Sequence, residues 1–137
     1  MKFKYFQYPA PDSKNIYRPS IPITFKNGYR FIDVIALIDS GADFTILPLE
    51  IAGVLGIELN PQSKISFYGA GDNSFTVYPS PVKIEHILKQ IGFRQIVWKT
   101  CVYFAESQST ILLGNHGFLD QFEIRLNGKK KELEIIP

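Results

Sequence analysis

Val34-Ile-Ala-Leu-Ile-Asp39-Ser40-Gly41-Ala42-Asp43-Phe-Thr-Ile-Leu-Pro48 is the stretch on which the fold of this chain turns. Five apolar residues, Val34 to Ile38, run without interruption into an acid, a hydroxyl, a glycine and, after Ala42, a second acid. In an extended strand Ile35, Leu37 and Asp39 point to one face, and Val34, Ala36 and Ile38 to the other. Apolar residues on both faces predict a strand buried on both sides. A carboxylate at the end of such a strand loses part of its water, which favours the neutral form unless partners hold the charge. Packing alone gives little reason to place an acid there. Ser40-Gly41 supplies the turn, since glycine takes backbone angles that a side chain forbids and lets another backbone come close. Asp-Ser-Gly is also an ordinary β-turn, so its meaning depends on what surrounds it.

Upstream, Pro19-Ser-Ile-Pro-Ile-Thr-Phe25 faces Tyr29-Arg-Phe-Ile-Asp-Val34 across Lys26-Asn27-Gly28. Asn-Gly between apolar runs predicts a hairpin whose second arm leads straight into Asp39. Residues 2–8 alternate as one strand that Pro9 and Pro11 end. Downstream, Pro48 can open a short helix with Glu50 in its first turn, an apolar stripe of Leu49, Ala52 and Leu55, and Gly56 to stop it. Residues 64–68 and 74–78 alternate with period two around Gly69-Ala70-Gly71-Asp72-Asn73, which predicts a hairpin with a glycine-bearing tip. Residues 82–88 and 93–104 read as strands, followed by 109–114, a helical turn over about 116–121, and a closing pair, 122–126 and 132–136, across Asn127-Gly128. Many short strands with few helices predict an all-β barrel or sandwich.

At 137 residues the chain is expected to be one domain, 1–137, since two ordinary cores would not fit. A hydrophobic content of 45% with 14% aromatics excludes a disordered chain. A formal charge of +2, with basic residues scattered apart from Lys129-Lys130-Lys131, gives no nucleic-acid footprint; the lysine run reads as a solvated hairpin tip. Cys101 stands alone, which excludes an intrachain disulfide and suits a reducing compartment; between Trp98 and Phe104 it is expected to be buried and inert. The start of the chain lacks the continuous apolar run of a signal peptide, and nothing reaches the length of a membrane span. No membrane partner and a cytoplasmic address are the expectations. His86 and His116 are isolated from other metal-ligating residues, so neither a metal nor another cofactor is expected.

With those elements in place, the apolar strand, Asp39-Ser40-Gly41-Ala42-Asp43, the apolar run, the proline and a short helix ending in Leu55-Gly56-Ile57 resemble the active-site segment of the retropepsin-like (retroviral-type) aspartic proteases. Ile111-Leu112-Leu113-Gly114 before a helical turn resembles that family's second signature, and the Gly69 to Asn73 hairpin stands where the family has its flap. The resemblance spans about residues 19–126 and suits a cellular or bacterial single-domain member. It implies a closed acid-protease barrel with a flap hairpin and one or two short helices. Peptide hydrolysis by this chemistry needs two carboxyls sharing one proton, because two charges in close contact cannot both ionise. This chain has one Asp-[Ser/Thr]-Gly, so the resemblance implies a homodimer with one Asp39 from each subunit at a two-fold axis, acting on a peptide or protein.

Carried over by position, Asp39 is the catalytic acid and base, and the Ser40 hydroxyl braces the two active-site loops. Gly41 and Ala42 shape the turn, Asp43 binds substrate backbone or an ion-pair partner, and Leu113 and Gly114 pack beneath the loop. Gly69, Ala70 and Gly71 are flap-tip positions that close over substrate. Phe67, Tyr68, Phe75, Tyr78 and Trp98 are expected in the core or as apolar subsites. Two positions depart from the pattern: Asn115 and His116 follow Gly114 where the family carries Arg and then Asp or Asn. The arginine partner of Asp43 is thus missing; Arg18 or Arg30 substitutes, or Asp43 has another role. Asn115 either caps the helical turn or belongs to the site. These departures leave open a second reading, a dimeric peptide-binding module of weak or no activity on the same fold. The terminal strands, 2–8 and 132–136, are both candidates for an intersubunit sheet, because unpaired edges invite pairing.

Overall fold

The Asn27-Gly28 signal folds as read. In the computed structural model, which describes residues 1–12, 14–69, 71 and 73–137, strands β4 (Ser20–Asn27) and β5 (Arg30–Ile38) pair antiparallel from Ser20↔Leu37 to Asn27↔Arg30. The two-residue link is Gly28-Tyr29, with Gly28 in the left-handed region (φ 62°) that such a turn demands. The other strands of the large sheet are β6 (Ile46–Pro48), β7 (Ile65–Tyr68), β8 (Ser74–Pro79), β9 (Ile84–Leu88), β10 (Ile96–Thr100), β11 (Tyr103–Ala105) and β12 (Ile111–Leu113). Among the described residues they form nine strands in the order β10-β9-β4-β5-β12-β6-β11-β8-β7. The pairings β5–β12 and β6–β11 are parallel, and the first places Asp39 and the Leu113-Gly114 segment side by side.

A second sheet of three strands is ordered β1-β14-β13, from Lys2–Lys4, Glu132–Ile136 and Glu123–Asn127. Strand β14 therefore has both edges filled within its own chain, which removes it as a candidate for intersubunit pairing. The stretch 2–8 is not one strand either. It breaks at Tyr5, whose amide bonds the Lys131 carbonyl, and β2 (Phe6–Tyr8) instead pairs with β3 (Ile16–Arg18) in a separate ribbon. The run 93–104 divides similarly: β10 pairs with β9, while β11 has crossed to lie between β6 and β8.

The core gathers the even-numbered face of β5 (Ala36, Ile38) with Ile21 and Phe25 of β4, Leu47, Leu55, Phe104, Leu113 and Phe118, each almost wholly buried. Each of the larger side chains among them, Ala36 apart, contributes about 1.5–3 kcal/mol on burial. The odd-numbered face stays partly open, with Phe31 at 59% and Ile35 at 39% exposure, so β5 is not buried on both sides as its composition predicts. The helix α1 (Leu49–Val54) follows Pro48 and buries Ile51 and Ala52. It ends in a Schellman pattern at Gly56 (φ 64°), where Ile57 N–H bonds the Ala52 carbonyl at 2.8 Å and Gly56 N–H the Gly53 carbonyl at 3.1 Å. Short 3-10 turns occupy Pro61–Ser63 and Leu119–Gln121. Cys101 is exposed, against the expectation of burial, because it lies in the link where the chain leaves the edge strand β10 and crosses to β11. The lysine run lies in the exposed β13–β14 turn, as expected. No helix among the described residues is long and apolar enough to cross a membrane.

Candidate active site

Asp39 follows β5 directly, and its backbone is fixed from beneath: its N–H bonds the Leu113 carbonyl at 3.0 Å, extending the β5–β12 ladder by one rung. The turn closes on itself through Ala42 N–H to the Asp39 carbonyl at 3.2 Å. Gly41 N–H donates to Asp39 Oδ1 at 2.9 Å, which orients the half-buried carboxyl. A Cβ on Gly41 would stand 3.1 Å from that same oxygen, so the glycine keeps the carboxyl approachable.

The second signature grips this turn. Asn115 N–H bonds the Ala42 carbonyl at 2.9 Å and His116 N–H the Asp43 carbonyl at 2.7 Å. The Asn115 side-chain amide donates to the Ser40 carbonyl at 2.8 Å and to the Ala42 carbonyl at 3.0 Å. Asn115 is therefore not the cap of the helical turn, since Leu119–Gln121 starts at Phe118 and takes no side-chain cap; its side chain is bonded to the Asp39 loop instead. Gly114 lies so close under the loop that a Cβ there would meet the Phe44 carbonyl oxygen at 2.3 Å. Thr45, fully buried, adds its hydroxyl as acceptor for Gly114 N–H at 3.4 Å. Neither Thr45 nor Phe44 is marked out by the sequence reading; Thr45, a lone hydroxyl in an apolar run, is the only local hint.

Asp39, Gly41, Ala42, Asp43 and Gly69 all open onto one cleft of about 560 Å³, which residues 66–69 of the β7–β8 hairpin also line. Ser40 is exposed beside it, and Leu113 and Gly114 lie buried below. The hairpin tip closes by Gly69 N–H to the Asn73 carbonyl at 2.7 Å, and Gly71 adopts φ 78°. Ala70, expected at this tip, lies outside the described residues, as does Asp72. Phe44 and Phe67, ring centroids 5.6 Å apart, form an aromatic wall of the cleft; Tyr103 packs against Phe44 at 4.8 Å, and Phe67 in turn meets Phe75 at 6.1 Å. Phe67, Tyr68 and Phe75 thus reach the site as subsite candidates. Trp98 packs in the opposite part of the core against Phe122 and His86, and Tyr78 bonds Glu106 at the surface.

Neither arginine replaces the missing partner of Asp43. The Arg18 guanidinium carbon lies 4.9 Å over the Tyr8 ring and that of Arg30 5.9 Å from Tyr29, and no ion pair to Asp43 occurs among the described residues. His116 stands edge-on to Phe44 at 5.8 Å, with its Nδ1 3.3 Å from Asp120. No cluster of three His, Cys, Asp or Glu suited to a metal ion occurs among the described residues.

A β-fold in which an Asp-Ser-Gly turn is held by a following Leu-Leu-Gly strand beneath a glycine-tipped hairpin is the retropepsin-like fold. The chain is similar to a retropepsin-like aspartic protease from Rickettsia conorii, with TM-score 0.57 at 17% identity over 99% of this chain and 98% of that one. It is also similar to EIAV protease complexed with the inhibitor HBY-793, with TM-score 0.52 at 20% identity over 76% of this chain and 88% of that one. No protein-family model and no curated protein matches the sequence. At these identities the likeness is one of fold.

Proposed function

We propose that the chain is a homodimeric aspartic endopeptidase, with Asp39 from two copies forming one catalytic dyad. The observation that carries this reading is the Asp39 carboxyl, oriented by Gly41 N–H and lining a cleft of about 560 Å³. One carboxyl of the pair is ionised and takes a proton from a water molecule. The other is protonated and donates to the scissile carbonyl oxygen as the water oxygen bonds to the carbonyl carbon. The resulting tetrahedral diol collapses with cleavage of the C–N bond, and the proton held by the dyad passes to the leaving nitrogen. As the new carboxyl group forms, one diol hydroxyl gives its proton to the dyad, which restores the shared proton without consuming a cofactor. Gly69 to Gly71 act as the flap tip that shields the reacting atoms from bulk water, and Asp43 meets the substrate backbone at the end of the cleft.

The β7–β8 hairpin, the exposed Ser40 and the open Asp39 end of the loop support assembly around a two-fold axis at this point. The test is peptide cleavage by the wild-type chain and by Asp39→Asn, with folding followed by circular dichroism. Turnover is expected to vanish in D39N with the fold intact; cleavage retained by D39N sinks the assignment. The unpaired Asp43 favours the second reading, a peptide-binding module. Sedimentation with and without a statine-type transition-state inhibitor separates the two, because the protease reading requires a dimer that the inhibitor tightens.

A further inference from the structure

We infer that two copies join through the free edge of β3, which forms a continuous antiparallel sheet across the axis beside Asp39. This rests on the homodimer reading and names its interface. Strands β2 and β3 form a two-stranded ribbon in which each strand has one hydrogen-bonded neighbour among the described residues. Such a ribbon is marginal in water until a third strand or a packed face completes it. Its sequence is apolar enough to want that cover: Ile16 is 40% exposed and Tyr17 42%. It is also held in place, by Tyr8 Oη to Ser20 Oγ at 2.9 Å and by Arg18 stacked over Tyr8.

Location decides among the edges. The β4–β5 register continues past Ser20↔Leu37, since Ile38 N–H bonds the Pro19 carbonyl at 3.0 Å. The end of β3 therefore lies one step from Asp39, where a shared dyad must form. The edges of the large sheet do not meet this condition. Strand β10 is three strands from β5 and β7 is five, about 14 and 24 Å along the sheet at the usual strand spacing. Two-fold pairing through either keeps the two Asp39 carboxyls at least roughly 28 Å apart along the sheet. The edges of the small sheet fail on charge. Pairing of β1 about Phe3 sets Lys2 against Lys4 of the second copy, and pairing of β13 about Arg125 sets two arginines face to face. Pairing of β3 about Tyr17 instead sets Ile16 against Arg18 and makes a Tyr17–Tyr17 cross-strand aromatic pair.

Two variants test the interface by sedimentation equilibrium and non-reducing electrophoresis. Y17K places two lysines opposite each other on the axis and is expected to weaken dimerisation by roughly tenfold or more. Y17C in a C101S background, mildly oxidised, is expected to give a covalent dimer, because directly opposed residues of antiparallel strands fall within disulfide reach. A wild-type dimer whose dissociation constant Y17K leaves unchanged and which Y17C does not cross-link overturns this interface and leaves the dimer reading standing. A wild-type chain that stays monomeric with the statine-type inhibitor overturns both. Circular dichroism checks that Y17K is folded, and the cross-link decides if it is not.

Discussion

Asn115 ties together the two carbonyls, of Ser40 and Ala42, that flank Gly41, and so holds the turn on which the Asp39 carboxyl depends. Asn115→Ala removes two hydrogen bonds worth about 1 kcal/mol each and frees the turn. Its kcat is expected to fall about tenfold through misplacement of the carboxyl, with KM little changed. N115D keeps the size without the donor and is expected to behave alike; steady-state kinetics on the same peptide decide this. Gly114→Ala forces a Cβ into the Phe44 carbonyl, a backbone against backbone overlap that no rotamer relieves, and should cost roughly 3 kcal/mol or more in chemical denaturation. His86 gives a prediction in pH. It is fully buried between Phe25 and Trp98, its Nε2 has no partner among the described residues, and burial pushes its imidazole down to about 4 from the usual 6.5, against a smaller opposing pull from the Ile84 carbonyl. The unfolded chain then binds a proton that the folded chain refuses. Stability is thus full above about pH 6.5, falls as the pH drops towards 4 by about 3 kcal/mol in all, and then levels off. Urea denaturation at several pH values should show this slope, and His86→Phe should remove it. At this scale the meeting of Asp39, Gly41 and Gly114 in one loop was legible from the order and spacing of the two signatures rather than from any one residue. The part played by Asn115 was not, since an asparagine before a helical turn has two uses that only the fold separates.

The β7–β8 hairpin brings Phe67 from its first arm against Phe44 and Phe75 from its second against Phe67, so one element supplies much of the cleft's aromatic wall. Phe67→Ala should raise KM for peptides with large apolar side chains by about tenfold while lowering kcat less, because the lost contact serves ground state and transition state alike. A peptide series that differs only in side-chain size checks it, and an equal loss for all members overturns it. Most elements could be read from alternation and turn residues, including the hairpin at Gly28 and the stop at Gly56. Two could not. Residues 93–104 look like one strand because both pieces are apolar, yet their partners lie in different parts of the sheet; residues 2–8 look like one strand because alternation continues across Tyr5. Local pattern records which face is apolar and is silent on which neighbour a strand meets.

For the whole molecule, the proposed sharing of activity between two copies would make rate depend on concentration. Specific activity should fall on dilution below the dimer dissociation constant, and added D39N should suppress wild-type activity by capturing subunits in mixed dimers. Constant specific activity across a thousandfold dilution, without inhibition by D39N, excludes a site shared between chains that exchange partners. All-β composition and the order of signatures made the retropepsin-like fold legible from the sequence. The separate sheet that unites β1 with β13 and β14 was not, because it joins Lys2 to Glu134 and nothing local encodes so distant a pairing. The parallel joining of β5 to β12 carries this further. Asp39 and Leu113 are 74 residues apart, so on a ribosome adding about 5–20 residues per second the acidic loop waits roughly 4–15 s for the strand that will hold it. With so many of its pairings remote in sequence, the chain should fold in milliseconds to seconds rather than microseconds, and on the proposed dyad reading its nascent form would carry no assembled site until synthesis is nearly complete.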